Sequence, residues 1–533
     1  MIKKQNKLHF FALLLMVIST FLFVNTVNSQ QLNYTLNRDY LWGVDSYYNS
    51  KEQSFQTFVK PYRFADINQM QDSTLSFYRL LSKKKSEKQE KEKPNLVEIQ
   101  PLLVEQIGYQ ANLQSRFTND IAIGGKLVYT YGNKFALNFK ALTGKATYTG
   151  YTDSVISQTF VVPGIGYAYR SNKDSLNPQY TYQYYSGYLS YSPNKIFNIQ
   201  VGQDKQFWGE GYRSLFLSDV AAPYPYMKIT TNIWHLSYVN LYTILKDATN
   251  PSGFKKDWLN KYATFHYLGW NATKRITIGF FESIVWQGTD SNRYRGYDIN
   301  YLNPVIFFRP TEYSLGSSDN ANIGFCFKLK MFKKQQLYGQ LLLDEFVLKN
   351  VVSRNGWWAN KQAYQAGFKS FDLFKIKRLN FQTEFNYVRP YTYSHGSVQQ
   401  NYAHFNEPLA HPLGANFLES ASFLNYRYKR LFVEAKCVYA MYGADSAGKD
   451  YGKNIFISYV NRNTEYGNAM AQGVKTTLIT ASLRAAYILD TDMNLKIELG
   501  VSERIEHTAT ITKQIPYVFF GIRADLCNLY TDY

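Results

Sequence analysis

Ile121-Ala-Ile-Gly-Gly-Lys-Leu-Val-Tyr-Thr-Tyr131 is followed by Gly132-Asn133-Lys134 and then by Phe135-Ala-Leu-Asn-Phe-Lys-Ala141. One parity of the first run carries Ile121, Ile123, Leu127, Tyr129 and Tyr131. The other carries Gly124, Lys126, Val128 and Thr130. In the second run Phe135, Leu137, Phe139 and Ala141 alternate with Asn138 and Lys140. A period of two describes a strand with one apolar and one polar face. Gly-Asn-Lys between the runs is turn chemistry. Both faces carry large side chains, which suits a wall with lipid on one side and a polar lumen on the other.

The same design recurs to the end of the chain. Residues 180–191 turn into 196–204, 262–270 into 275–286, 322–331 into 337–348, and 364–371 into 379–388. Residues 419–428 turn into 431–442 and 477–487 into 495–504, and 516–526 form the last strand. The expected fold is all-β, a transmembrane antiparallel β-barrel with a small N-terminal extension. It has 18 strands if 226–231 and 233–245 form a pair, and 16 if they do not. The 47 Tyr, 37 Phe and 8 Trp favour strands and suit aromatic girdles at two membrane interfaces. Mean hydropathy is only −0.35, as alternation allows. Past Gln30 no run of about 18 apolar residues provides a helical span.

Barrels of this type have short periplasmic turns and long extracellular loops. The tight turns are therefore assigned to the periplasm. The connections 146–178, 206–225, 287–320, 389–417 and 443–474 are assigned to the cell surface. Glu282 shares the parity of Ile276, Ile278, Phe280, Ile284 and Trp286 and would face lipid. A carboxylate is cheap there only near an interface, or where a bulge re-aims it, and the rim is the favoured position.

Lys3, Lys4 and Lys7 precede an apolar stretch from Phe10 to Val24, the layout of a secretory signal peptide over residues 1–29. An uncleaved anchor is the alternative. Residues 30–100 are expected to form a periplasmic or plug-like segment, with a charged linker at 83–93, ahead of a barrel over 101–533. Residues 53–62 read as extended, and 66–81 show weak helical spacing. Cys326, Cys437 and Cys527 fall on separate expected strands and read as unpaired. The formal charge is +19, of which +16 belongs to residues 30 onward. Such an excess attracts acidic glycans or lipopolysaccharide phosphates, but it also fits solvated loops. No nucleic-acid motif accompanies it.

No nucleophile elbow, phosphate loop or paired-cysteine motif occurs, and no enzymatic activity, metal or cofactor is expected. His404, Glu407 and His411 cluster in sequence, but Pro408 and Pro412 argue against a helical metal motif. Two aromatic and polar stretches stand out as glycan-contact candidates. In Gly202–Asp219 the residues are Trp208, Tyr212, Arg213 and Asp219, with Gly209 and Gly211 permitting tight turns. In Ser353–Lys361 they are Trp357 and Trp358, placed at an extracellular rim. The competing readings are an aromatic girdle and lumen-filling ion pairs.

Taken in order, several stretches resemble the Wzi-like outer-membrane proteins of Bacteroidota, which include the gliding-motility protein RemB. They are Phe58-Val-Lys-Pro-Tyr62, the block from Gly202 through Trp208-Gly-Glu-Gly-Tyr-Arg213 to Asp219, and Tyr301-Leu-Asn-Pro-Val305. Gly356-Trp-Trp358 with Asn360-Lys361, Pro408-Leu-Ala-His-Pro-Leu-Gly-Ala-Asn416, and Gly521-Ile-Arg523 with Tyr530-Thr-Asp-Tyr533 complete the set. The closing Tyr533 resembles a barrel-assembly signal, although Phe is more usual there. The resemblance implies an 18-stranded outer-membrane barrel without catalysis. It also implies capsular polysaccharide anchoring, or surface gliding through polysaccharide or adhesin contacts. A transport channel and a barrel hydrolase are the other classes to be separated.

Overall fold

The computed structural model describes residues 31–51, 54–67, 95–112, 115–172, 174, 176–248, 258–290, 293–304, 319–446, 448–490, 493–524 and 528–533. The signal-peptide stretch, the charged linker, most of 66–81 and Cys527 lie outside the described residues. Eighteen antiparallel strands close one barrel. The first six are β1 (Asn95–Gln110), β2 (Arg116–Tyr131), β3 (Phe135–Thr147), β4 (Tyr180–Tyr191), β5 (Phe197–Asp204) and β6 (Tyr224–Ile233). Next come β7 (Leu236–Asp247), β8 (Leu259–Trp270), β9 (Ile276–Gln287), β10 (Asn320–Met331), β11 (Gln335–Glu345) and β12 (Lys361–Ser370). The ring ends with β13 (Leu379–Val388), β14 (Phe417–Tyr428), β15 (Leu431–Ala444), β16 (Val474–Asp490), β17 (Leu495–His507) and β18 (Thr512–Arg523), which pairs back onto β1.

The uncertain pair is real. β6 and β7 pair from Tyr226–Thr243 to Ile233–Leu236 across a two-residue turn, which settles the number at 18. The wall begins at Asn95, inside the stretch expected to precede the barrel. Pro101 lies within this strand although proline cannot donate to a ladder. It is tolerated because β1 meets β18 only from Val104 upward, so Pro101 is paired with a strand on one side alone.

Side-chain parity follows the sequence. Ile121, Ile123, Tyr131 and Phe139 are exposed on the outer face, whereas Val128, Thr130 and Asn138 are buried in the lumen. Val201, Phe325, Leu424, Leu483, Leu499 and Phe520 continue the exposed apolar surface around the ring. Tyr131, Tyr191, Trp270 and Tyr428 are exposed at strand ends beside the tight turns, where an aromatic girdle belongs.

Glu282 departs from its expected place. It sits mid-strand on β9, 1% exposed, with its Oε2 3.6 Å from Nδ1 of the equally buried His266. Neither a rim nor a bulge explains it, since the register around it is unbroken. The cause is cover from outside. The segment from Arg295 to Pro304 lies against the outward side chains of β7, β8 and β9: Tyr301 packs on Trp286 at 4.9 Å, and Tyr242 Oη donates to Leu302 O at 3.0 Å. Glu282 thus faces protein where its parity predicts lipid.

The lumen is filled from both ends. Helix α1 (Arg38–Ser50) enters at the end carrying the tight turns. Asn37 caps it by accepting from Asp39 N. At one flank Asp39 pairs with Arg484 and Lys496 at 2.6 and 2.8 Å. At the other Asp45 meets Lys369 at 2.5 Å, and Lys330 Nζ donates to Tyr48 O. The helix of 13 residues is about 20 Å long and ties these separate parts of the wall together. Burial alone would raise the Asp39 carboxyl, but the charges of Arg484 and Lys496 overcome it and hold it far below the usual range. From the opposite end, residues 205–223 and 389–416 fold inward, although both were assigned as surface loops. Residues 528–533 also leave the wall and lie inside. Tyr533 is therefore not the last residue of a strand. It sits half-buried, 6.3 Å from Tyr151.

Phe325 lies at the middle of β10 on the outer face. Phe325→Arg is expected to cost about 2–4 kcal/mol of folding free energy in a bilayer, and Tyr131→Arg at the girdle about 0–1 kcal/mol. Urea titrations in phospholipid vesicles measure both. Equal costs at the two depths would contradict a membrane wall.

Candidate functional site

The Gly202–Asp219 block begins on β5 and leaves the wall after Asp204. Lys205 Nζ donates to Asp219 O at 2.9 Å and closes the base of the excursion. Phe207 and Trp208 pair with Lys60 and Val59, and Gly209 N donates to Phe58 O at 2.8 Å. The N-terminal segment and this loop thus complete each other's backbone hydrogen bonding inside the barrel, as buried peptide groups require. Trp208 is fully buried, edge-on to Phe265 and Phe281 at about 6 Å.

Wall carboxylates hold the centre of the block. Glu384 of β13 accepts from Tyr212 N at 2.7 Å and from Arg213 N at 3.0 Å, and Tyr338 Oη donates to it at 2.9 Å. A Cβ on Gly211 would stand 2.4 Å from the Glu384 carboxylate. The glycine is needed for this close approach and not for a left-handed turn. Arg213 reaches Glu419 of β14 at 3.1 Å and Asp532 at 3.0 Å. Lys436 and the Tyr212 hydroxyl also donate to Asp532, and His411 Nε2 lies 2.8 Å from Glu419. Burial works against both charges, but the pairing overcomes it. Arg213 is pushed well above its ordinary value by Asp532 and Glu419, and Asp532 is held far below by Arg213 and Lys436. Asp219 accepts from Tyr530 Oη at 2.6 Å and Asn528 Nδ2 at 3.0 Å.

Trp208, Tyr212, Arg213 and Asp219 were expected near the cell surface. The structure places all four in the interior, between 0 and 7% exposed. The correction has a simple cause: the loop that carries them turns into the lumen, where its polar atoms find wall partners. Trp357 and Trp358 lie at the end of the barrel opposite the tight turns and are half-buried. They belong to a loop-on-loop contact. Trp358 N donates to Glu465 O at 3.0 Å, and its ring meets Tyr459 at 4.6 Å and the Arg462 guanidinium at 4.5 Å. Gly356 has φ +67, and a Cβ there would stand 2.7 Å from Asn468 N, closer than real contacts allow. The two stretches do not form one site.

His404, Glu407 and His411 point apart. His404 Nδ1 accepts from Lys246 N, so it is neutral, and burial depresses it to about 3. Glu407 accepts from Gly164 N at 2.6 Å and Ala222 N at 2.9 Å, and burial raises it to about 7. Glu407 thereby ties three excursions of the chain together near the mouth.

Among the described residues, openings flank the filled centre. One of about 890 Å³ lies at the tight-turn end beside residues 54–66. A chamber of about 350 Å³ lies along the β18–β1 seam, lined by Arg484, Lys496, Glu498, Arg504 and Asp120. A cleft of about 600 Å³ opens at the other mouth, between helix α2 (Gly150–Thr159), residues 406–414 and residues 444–456. Phe160 is 37% exposed there, and Phe456 and Tyr533 are half-buried. Asn406, Asp445, Lys453 and Asn454 supply amide and charged groups around them. These residues come from three separated loops and the C-terminal segment, so no local motif announces the cleft.

No family model matches the chain, and no curated protein matches it. Among solved structures the chain is similar to Wzi of Escherichia coli, described as an outer-membrane protein involved in group 1 capsule assembly and a carbohydrate-binding β-barrel. The identity is 12%, the TM-score 0.57, and the match covers 93% of this chain and all of that one. OprD of Pseudomonas aeruginosa matches at 8% identity and TM-score 0.41, over 80% of this chain and 94% of that one. OccAB2 of Acinetobacter baumannii matches at 11% and 0.42, over 80% and 97%. At 12% identity the similarity to Wzi establishes the fold alone, a barrel of the outer-membrane type.

Arg213→Ala would leave Glu419 and Asp532 as buried charges without their main partner. The expected cost is about 3–5 kcal/mol, borne by the lumen filling and not by the wall. Limited proteolysis should then cut within 205–223 while the heat-stable migration of the barrel on gels is unchanged. Wild-type resistance at 205–223 would show that the ion pairs do not hold the block.

Proposed function

We propose that this chain is a non-catalytic outer-membrane β-barrel that binds surface polysaccharide at its outer mouth and helps retain it on the cell. It reaches that membrane after removal of residues 1–29. The observation that carries the reading is the contrast between a filled lumen and the open cleft of about 600 Å³. Sugar rings present apolar faces and a rim of hydroxyls. Phe160, Phe456 and Tyr533 offer faces, and Asn406 and Asn454 offer planar polar groups. Trp357 and Trp358 extend the same mouth. Trp208, Tyr212, Arg213 and Asp219 contribute indirectly, by fixing the loop on which the mouth rests.

The carbohydrate-binding description of Wzi, on a barrel of the same fold, supports this reading. Its capsule branch and the gliding branch of the sequence resemblance share the polysaccharide contact. Deleting the gene separates them: loss of cell-bound polysaccharide supports the first, loss of spreading with intact polysaccharide the second. A transport channel requires an open lumen. Purified protein in planar bilayers is expected to give no steady conductance, and discrete open-channel steps would replace the binding reading.

Replacing Phe160 and Phe456 together by Ala is expected to weaken binding of the cells' own purified polysaccharide about tenfold, equivalent to about 1.4 kcal/mol. Phe160 lies at the surface of the cleft, and Phe456 packs partly on the core, so heat-modifiable migration of the double variant is measured alongside to show that the barrel is intact. Unchanged affinity of the double variant, measured by surface-immobilised glycan titration, would remove the cleft as the site.

A further inference from the structure

Three consecutive tight turns around the barrel, 271–275, 332–334 and 371–378, carry Lys274, Arg275, Lys333, Lys334, Lys375, Lys377 and Arg378 against one carboxylate, Asp372. All seven basic residues are exposed. Asp372 neutralises Lys334 at 3.0 Å, which leaves a strong positive excess along one arc of the inner rim. The preceding turn adds Trp234, 90% exposed, and the arc itself adds Phe332 at 78% and Phe374 at 82%.

These three aromatics share a further property. Each has a left-handed backbone, with φ +56, +54 and +53. Bulky residues are outliers in that region, which glycine or asparagine occupies at less cost. A turn needing only to reverse the chain would not require an aromatic there. The three side chains are instead held outward, beside a positively charged row.

Their level is set by the girdle. Trp270 is the last residue of β8, and Lys274 and Arg275 follow within five residues. Phe332 follows Met331, the last residue of β10, directly. The arc therefore lies where a bilayer passes from acyl chains to headgroups. Aromatics and Lys/Arg side chains are the anchors of that layer. An acidic soluble partner would be served by a concave patch standing clear of the membrane. A low row following the rim matches a sheet of phosphates.

We propose that the rim over 271–275, 332–334 and 371–378 is a binding surface for anionic phospholipid headgroups of the adjoining leaflet. The cationic row takes the phosphates, and Trp234, Phe332 and Phe374 insert among the headgroups. This rests on the barrel's lying in a membrane and is independent of what the outer mouth binds. The contact would fix the height and tilt of the barrel and enrich acidic lipid around this arc.

The test uses the full folded chain in bilayers of phosphatidylethanolamine mixed with phosphatidylglycerol. Protein is extracted gently, and the retained lipid is quantified by mass spectrometry. Wild type is expected to retain phosphatidylglycerol in excess of its share of the bilayer. Each basic side chain near an anionic surface contributes about fivefold in affinity. The quadruple variant K274Q/R275Q/K375Q/K377Q should therefore lose the enrichment by at least about tenfold. Heat-modifiable migration on gels shows whether it is still an inserted barrel, which separates loss of the site from loss of the fold. A second variant, F332S/F374S, should lower retention without changing the lipid preference. Equal retention of both lipids by wild type, or undiminished enrichment in the quadruple variant, would overturn the proposal. So would displacement of the lipid by an equal concentration of inorganic phosphate. Charge-dependent binding of solubilised cell-wall fragments with lipid retention unaltered would assign the arc to the wall and overturn it equally.

Discussion

Glu384 accepts the backbone N–H groups of both Tyr212 and Arg213, and the filling of the lumen depends on this one carboxylate and its neighbour Glu419. A loop of some twenty residues has left the wall, and its peptide groups no longer have strands beside them. Inside a barrel such groups need protein or water partners. Glu384 supplies two acceptors where the loop turns most tightly, and Gly211 is the residue that lets it come close. Glu419 and Asp532 then take the guanidinium of Arg213. A buried ion pair adds little stability relative to a well-packed apolar core. Losing one partner is costly, however, and the arrangement therefore specifies a position more than it supplies stability.

That position organises what surrounds it. With Trp208 fixed, the short ladder to Val59–Lys60 fixes the N-terminal segment, and α1 is set between Arg484 and Lys369. Asp219 fixes residues 528–530, and Glu407 ties the 164 and 222 backbones to the loop that lines the mouth. The centre of the molecule is built like a protein core of polar and aromatic groups, and the wet spaces are pushed to the two ends and one seam. Room for a ligand is then found at the two ends and along that seam.

The wall was legible in the sequence because strand parity is a local signal. Ile121, Phe139 and Tyr131 face outward and Val128, Thr130 and Asn138 inward, as their spacing requires. The strand number rested on 226–245, where Trp234-His235 forms a turn without glycine or proline. The interior was not legible. Helix Arg38–Ser50 carries only the short stripe Tyr40, Val44 and Tyr48, and its buried Asp39, Asp45 and Asn49 break the apolar pattern that a core-facing helix would show. Trp208 and Arg213 read equally well as surface or interior residues. What decides is whether the loop turns outward to solvent or inward to Glu384 and Glu419, which lie about 170 and 210 residues away. Glu282 failed for the same reason. Parity predicts which face a side chain takes, but not that residues 295–304 return to cover that face.

The two ends of the barrel also differ in how they use charge. At the outer mouth most ionic groups are spent on holding loops: Arg462 stacks on Trp358, Arg295 pairs with Asp298 and Asp319, and Asp445 accepts from the backbone at Tyr451 and Asn454. At the tight turns the lysines and arginines outnumber the acids and remain exposed. A tight hairpin turn gives a long cationic side chain little to fold back upon, and its backbone needs are already met by the strand ladder. Among the described residues, part of the positive excess is therefore gathered at the tight turns. A charge left exposed beside an aromatic girdle acts on the layer next to it within about 8 Å, and for this barrel that layer is the headgroup region of the membrane.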